Sequence, residues 1–183
     1  MLYDATVPIL SRYLQRLDGL LALAEVQVRD GGLSEREVLE ARLVEDMFPL
    51  AQQVRSACGF AFRTVFPLMG REVPEMSGEQ GSLADLRLLA RETRQALQGL
   101  PADAFETDAA SVTGEAGFTS LTLPSREYAL HYAMPNFFFH LSMTYAVLRF
   151  LGVLVGKPDF DGYHVYPPGF RFPPADAGSM PDD

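Results

Sequence analysis

The chain has 183 residues, which suits one domain with a tail, and 48% of them are hydrophobic, enough for a substantial core. A formal net charge of -9 argues against nucleic acid as a partner and equally against an anionic membrane surface. Cys58 is the one cysteine, so no disulfide framework can form within the chain, in keeping with a reducing, cytoplasmic setting.

The opening Met1-Leu-Tyr-Asp lacks the basic region of a secretory signal. Asp4 or Thr6 is the expected cap of a first helix, with Pro8 in its first turn, where a missing N–H costs little. Val7, Leu10, Leu14, Leu17, Leu21, Ala24 and Val28 alternate by three and four, the seam of a bundle helix, and Asp30-Gly-Gly stops it. Ser34 with Glu37 reads as a capping box opening a second helix. Its apolar face runs through Leu39, Leu43, Met47, Leu50, Val54, Ala57, Ala61, Val65 and Leu68. Asp46 falls in that stripe with Gln53 on the same side, Pro49 bends the helix just after Asp46, and Pro67 and Gly70 end it.

A polar loop from Arg71 to Gly81 leads to Ser82 and Asp85, which open a third helix carrying Leu83, Leu86, Ala90, Thr93, Leu97 and Leu100; Pro101 closes it. From Thr107 to Leu123 the pattern changes to a β-hairpin or irregular excursion. Pro124-Ser-Arg-Glu begins the next helical segment, which Pro135 bends or restarts. The last helix, Met134 to Arg149, is the most apolar run of the chain and belongs in the centre of the protein. Because Tyr128 to Leu148 includes His131, Pro135, Asn136 and His140, it reads as a buried helix and not as a membrane span. After Gly156 comes a tail rich in proline and aromatics, with Tyr163, Tyr166, Phe170 and Phe172 expected to pack along the body or across a partner subunit and Ala175 to Asp183 expected to be loose. The expected architecture is all-α: a four-helix bundle over residues 1–156, a small hairpin before its last helix, and a tail over 157–183.

Two polar residues stand out on the last helix. Asn136 and His140 are four apart and share a face, with Thr144 one turn further on. A carboxylate on an apolar stripe is costly unless paired, so Asp46 needs a metal, a protonated histidine or a backbone donor. Asn is a weak metal ligand beside His, which leaves two readings of the trio Asp46, Asn136 and His140: an oxygen-rich metal site or a buried hydrogen-bond network. His131 lies beyond Pro135, and His164 is expected to be solvated in the tail. Cys58, with Ala57 and Ala61 around it, reads as a buried structural thiol. The phenylalanine-rich stripe is core, or the lining of a pocket for an apolar ligand. No phosphate loop, GxSxG, HExxH or paired CxxC occurs in the sequence.

Three segments carry a family resemblance: Leu2-Tyr-Asp-Ala-Thr-Val-Pro8; Ala41-Arg-Leu-Val-Glu-Asp-Met-Phe-Pro-Leu-Ala-Gln-Gln-Val54; and Leu130-His-Tyr-Ala-Met-Pro-Asn-Phe-Phe-Phe-His-Leu-Ser-Met-Thr-Tyr-Ala-Val-Leu-Arg149. Together they resemble a bacterial family catalogued as domain of unknown function nineteen ninety-three and grouped with the DinB/YfiT-like metalloenzymes. Gly156-Lys-Pro-Asp-Phe160 is similar to its usual ending. The resemblance implies a DinB-like four-helix bundle, commonly a homodimer. It also implies a divalent metal (zinc, nickel or manganese) held in many superfamily members by one histidine of the second helix and two of an H-x-x-x-H on the last. The corresponding positions here are Asp46, Asn136 and His140, of which only His140 is a histidine. Two functional expectations follow. One is a divergent metal-dependent transferase or hydrolase acting on a small molecule. The other is a metal-free bundle that binds an apolar ligand or acts as a dimeric structural protein.

Overall fold

A computed structural model describes residues 1–76, 81–105, 110–167 and Phe170. The first helix, α1, runs over Leu2–Arg29 and buries Val7, Leu10, Leu14, Leu17, Leu21 and Ala24, the expected seam. It begins earlier than its presumed cap. Thr6 lies inside the helix, where its hydroxyl donates back to the Leu2 carbonyl at 2.7 Å, and Pro8 sits on the exposed side.

The expected second helix is instead two helices. The short α2, Glu35–Glu40, opens on the capping box foreseen at Ser34 and Glu37, and α3 covers Leu50–Val65. Between them residues 41–49 are not helical. Pro49 offers no N–H and disfavours helical geometry at the residue before it, so the pattern breaks where a bend was expected. The gap is closed by Leu50 donating to the Ala41 carbonyl at 2.8 Å, and α3 then starts with Gln53 N–H on the Pro49 carbonyl. The Arg42 guanidinium braces the loop from within, donating to the carbonyls of Glu45 and Met47.

Helix α4, Leu83–Gln98, is capped by Ser82 and also by Glu35, whose carboxylate accepts the Leu83 N–H at 2.8 Å. The excursion is a hairpin of β1, Ser111–Ala116, and β2, Thr119–Pro124, paired antiparallel with Val112 opposite Leu123. Gly117, at φ +61°, makes the reversal. One turn of helix, α5 (Ser125–Glu127), widens into a π-helical stretch over Tyr128–Ala133 and then tightens into α6, Met134–Phe150. Pro135 thus stands in the first turn of α6, where a proline costs little.

The chain is mostly helical with one small two-stranded sheet. α1 packs chiefly on α4 and α3 on α6, with α3 also against α4. The hairpin closes one end, where Val112 meets Leu68 and Tyr128 in a second apolar cluster. Residues 157–161, read from the sequence as tail, form a further short helix, α7 (Lys157–Asp161), that packs on α1. Phe160 meets Tyr13 and Tyr145 edge-on or tilted, at 5.7 and 5.6 Å between ring centroids. Tyr163 lies under the Arg12 guanidinium and Tyr166 stacks on Phe170, while Phe172 and Ala175 to Asp183 fall outside the described residues. Among the described residues no helix is long and apolar enough to cross a membrane.

Gly114 shows how tightly the hairpin seats. A Cβ there would lie 2.7 Å from the Tyr128 hydroxyl, and Tyr128 is fully buried and cannot step aside. Gly114→Ala is expected to lower stability by roughly 1–3 kcal/mol, read as a drop in the urea midpoint. An unchanged midpoint would contradict this packing.

Candidate functional site

The polar residues of α6 lie where helical spacing puts them, but their partners differ from expectation. His140 is only 8% exposed. Its Nδ1 lies 2.8 Å from Oε1 of Gln53, a residue of α3 that is 2% exposed. The other end of the Gln53 amide donates to the Phe48 carbonyl at 3.2 Å. That second bond turns the amide oxygen toward the imidazole, so Nδ1 carries the proton and Nε2 keeps its lone pair. Among the described residues Nε2 has no hydrogen-bond partner.

Aromatic rings enclose the imidazole. Phe60 and Phe48 lie near parallel to it, at 5.5 and 6.3 Å between centroids with interplanar angles of 21° and 16°. Phe139 meets it edge-on at 5.2 Å. Phe48 and Phe139 are themselves 52% and 53% exposed, so this aromatic surface continues to the outside. Burial holds the His140 pKa below its ordinary value, because charging the ring would strip it of water among apolar neighbours.

The rest of the helix face is tied to backbone. Thr144 donates to the His140 carbonyl at 3.0 Å, and the Asn136 amide donates to the Tyr132 carbonyl at 2.7 Å. Behind Phe60, the Arg63 guanidinium lies over the ring at 4.5 Å and donates to the Tyr132 hydroxyl and the Glu115 carbonyl, joining α3 to the hairpin. A groove of about 200 Å³ runs past Phe60 along α3, with Arg55, Arg63 and Met76 on its walls.

Of the expected trio, the structure brings only Asn136 and His140 onto one face. Asp46 is corrected: it stands exposed on the turn between α2 and α3 and makes no hydrogen bond or ion pair among the described residues. The cause is the break ahead of Pro49, which takes residues 41–49 off the helix whose spacing would have turned Asp46 inward. Gln53 occupies the place facing His140 that sequence reasoning gave to Asp46. Its signal was present as a polar side chain on the apolar side of a helix, and Phe48 carried no signal at all. His131 is exposed. His164, expected to be solvated, pairs through Nδ1 with the Asp161 carboxylate. That carboxyl is held below its usual range first by the Tyr163 N–H and further by the N–H and ring of His164. Cys58 is buried as expected, and burial pushes its thiol up to about 12.

A family described as "Domain of unknown function (DUF1993)" matches residues 2–161. The chain belongs to this family. Among solved structures, the crystal structure of a DinB family member protein from Shewanella denitrificans matches with a TM-score of 0.80 and 32% identity, over 91% of this chain and 95% of that one. Among curated proteins nothing matches. The fold of this DUF1993 chain is therefore DinB-like. A three-donor metal site does not fit the residues present: Asp46 faces outward, which leaves Nε2 of His140 with only the weakly ligating amide oxygen of Asn136 one turn away. Among the described residues no three His, Cys, Asp or Glu side chains are grouped to hold a metal.

The low pKa of His140 sets a pH dependence. The unfolded value is near 6.5 and the folded value lies below it, so below pH 6.5 the unfolded chain binds more protons than the folded one. The stabilisation from a neutral His140 is therefore present above that pH and lost as the pH falls through the folded pKa. Urea midpoints taken between about pH 8 and pH 5 should fall on the acid side, and His140→Gln should remove much of that fall. An identical fall in the variant would contradict the assignment.

Proposed function

We propose that this DUF1993 chain is a metal-free helical bundle that binds a small apolar ligand carrying one hydrogen-bond donor. The ligand lies on the aromatic surface of Phe48 and Phe139, and its donor points at Nε2 of His140. The observation that carries the reading is the Gln53–His140 bond, which fixes a neutral imidazole with its acceptor nitrogen unpartnered beside half-exposed rings. A flat ring gains about 0.5–1.5 kcal/mol from each well-placed aromatic contact beyond the area it buries. A hydrogen bond to Nε2 adds a similar amount and selects for the donor.

Phenol and toluene, matched in shape and differing in the donor, are suitable probes. Phenol is expected to bind about three- to ten-fold more tightly than toluene by calorimetry or ligand-detected NMR. His140→Phe should erase the difference, and Phe48→Ala should weaken both. Equal binding of the two probes, or binding of neither, would sink the proposal.

The resemblance of the sequence to the DinB/YfiT-like metalloenzymes suggests a second reading, a divergent metal-dependent transferase or hydrolase. Elemental analysis of protein purified without a polyhistidine tag separates the two. The first reading expects no stoichiometric zinc, nickel or manganese. A stoichiometric metal that disappears in His140→Ala would establish the second.

A further inference from the structure

The seam between α1 and α4 runs antiparallel and is lined by other residues than the α3–α6 seam that holds His140. Over part of its length it is laced by opposite charges. Arg87 meets Asp18 at 2.7 Å and Glu25 at 2.6 Å, and Arg91 meets Asp18 at 3.2 Å. Toward the start of α1 the cations continue, and the acid there, Asp4, pairs with the amino terminus. There a groove of about 440 Å³ opens, with Ser11, Arg12 and Gln15 on one wall, Arg94 and Gln98 on the other, and Tyr3 at one end.

The groove is marked by unpartnered donors. The hydroxyl of buried Ser11 and the Nε atoms of Arg12 and Arg94 are fully buried with no hydrogen-bond partner, and Nε of Arg16, one turn beyond Arg12, is in the same state. Buried polar groups in folded proteins are nearly always satisfied, so several orphans in one neighbourhood call for an explanation. A guanidinium can only donate, so the missing partner is an acceptor, and the charge favours an anion.

The acids of α1, and Asp161 of α7, are engaged elsewhere. Asp4 pairs with the amino terminus, Asp18 and Glu25 with Arg87 and Arg91, and the Asp161 carboxylate with Tyr163 and His164. Arg12 reaches α7 only through a backbone contact, donating to the Asp161 carbonyl at 2.8 Å with its plane over Tyr163. Arg94 makes no hydrogen bond or ion pair at all among the described residues. A cation-lined groove is also unexpected on a chain of net charge -9, where scattered arginines would find acids to pair with.

We infer that this groove is a binding site for a small organic oxyanion, a phosphate or carboxylate on an apolar body. The oxyanion takes the guanidinium forks of Arg12 and Arg94, which line the groove, and a small shift of those side chains on binding brings their buried Nε–H and the Ser11 hydroxyl within its reach. Arginine forks suit both phosphate and carboxylate oxygens. The space exceeds what a bare ion fills, and the apolar body lies toward Tyr3.

Calorimetric titration of the full chain at low salt tests this with three probes: phenyl phosphate, benzoate and inorganic phosphate. Phenyl phosphate or benzoate should bind saturably with a Kd below about 1 mM, the tighter of the two naming the head group, and inorganic phosphate more weakly. Arg94→Gln should weaken binding about ten-fold, whereas Arg36→Gln, an equal change of charge on exposed α2, should leave it unchanged. Ser11→Ala, which removes only a hydroxyl, should weaken it about three-fold and carries the test should Arg94→Gln fail to fold. His140→Phe should have no effect, which keeps this site separate from the one on α6. The inference is overturned by no saturable binding of any probe up to about 10 mM, by equal losses in Arg94→Gln and Arg36→Gln, or by inorganic phosphate binding as tightly as the organic anions.

Discussion

One hydrogen bond, from His140 to Gln53, couples the two helices that the site is made of. α6 is apolar nearly all round, and a lone imidazole within it is tolerable only if one ring nitrogen is satisfied from a neighbouring helix. Gln53 does this with an uncharged oxygen, and Gln53 is itself fixed by the Phe48 carbonyl. The chain of bonds therefore runs from the loop before α3, through α3, to α6. A carboxylate in the same place would have favoured a protonated imidazole. An amide leaves it neutral, which is what makes Nε2 an acceptor and not a donor.

Pro49 is the second constraint. It breaks what would otherwise be one long helix into α2 and α3, and the freed loop carries Phe48 over the imidazole while carrying Asp46 away from it. The two consequences come from the same peptide. A single helix bent at this point would have kept Asp46 on the apolar stripe. The likeness in fold to a DinB family member thus coexists with a set of side chains around His140 that differs in chemistry from a three-imidazole site.

Much of the architecture was legible because it follows from local rules. The alternation from Val7 to Ala24, the capping box at Ser34 and Glu37, the hairpin before the last helix and the burial of His140 each depend on spacing or on a named turn chemistry. What escaped depends on the effect of a residue on its neighbours. The spacing of Leu43, Asp46 and Leu50 is helical, yet the proline at 49 acts backward on Phe48 and undoes it. Gln53 was visible as a polar residue on the apolar side of a helix, but its partner lies 87 positions away and could not be chosen from spacing. The arginines at 12, 16 and 94 carried no signal in the sequence, because their surroundings are a property of how α1 and α4 meet. The two seams divide the molecule accordingly: one holds an imidazole among rings, the other arginines along a groove.

The state of the His140 ring is the most direct test of the account. Two-bond proton–nitrogen NMR on the uniformly labelled full chain reports which ring nitrogen carries hydrogen and at what pH the second proton arrives. The account predicts a neutral ring protonated on Nδ1, remaining neutral to a pH below 6.5. A ring protonated on Nε2, or one already charged above that pH, would contradict it.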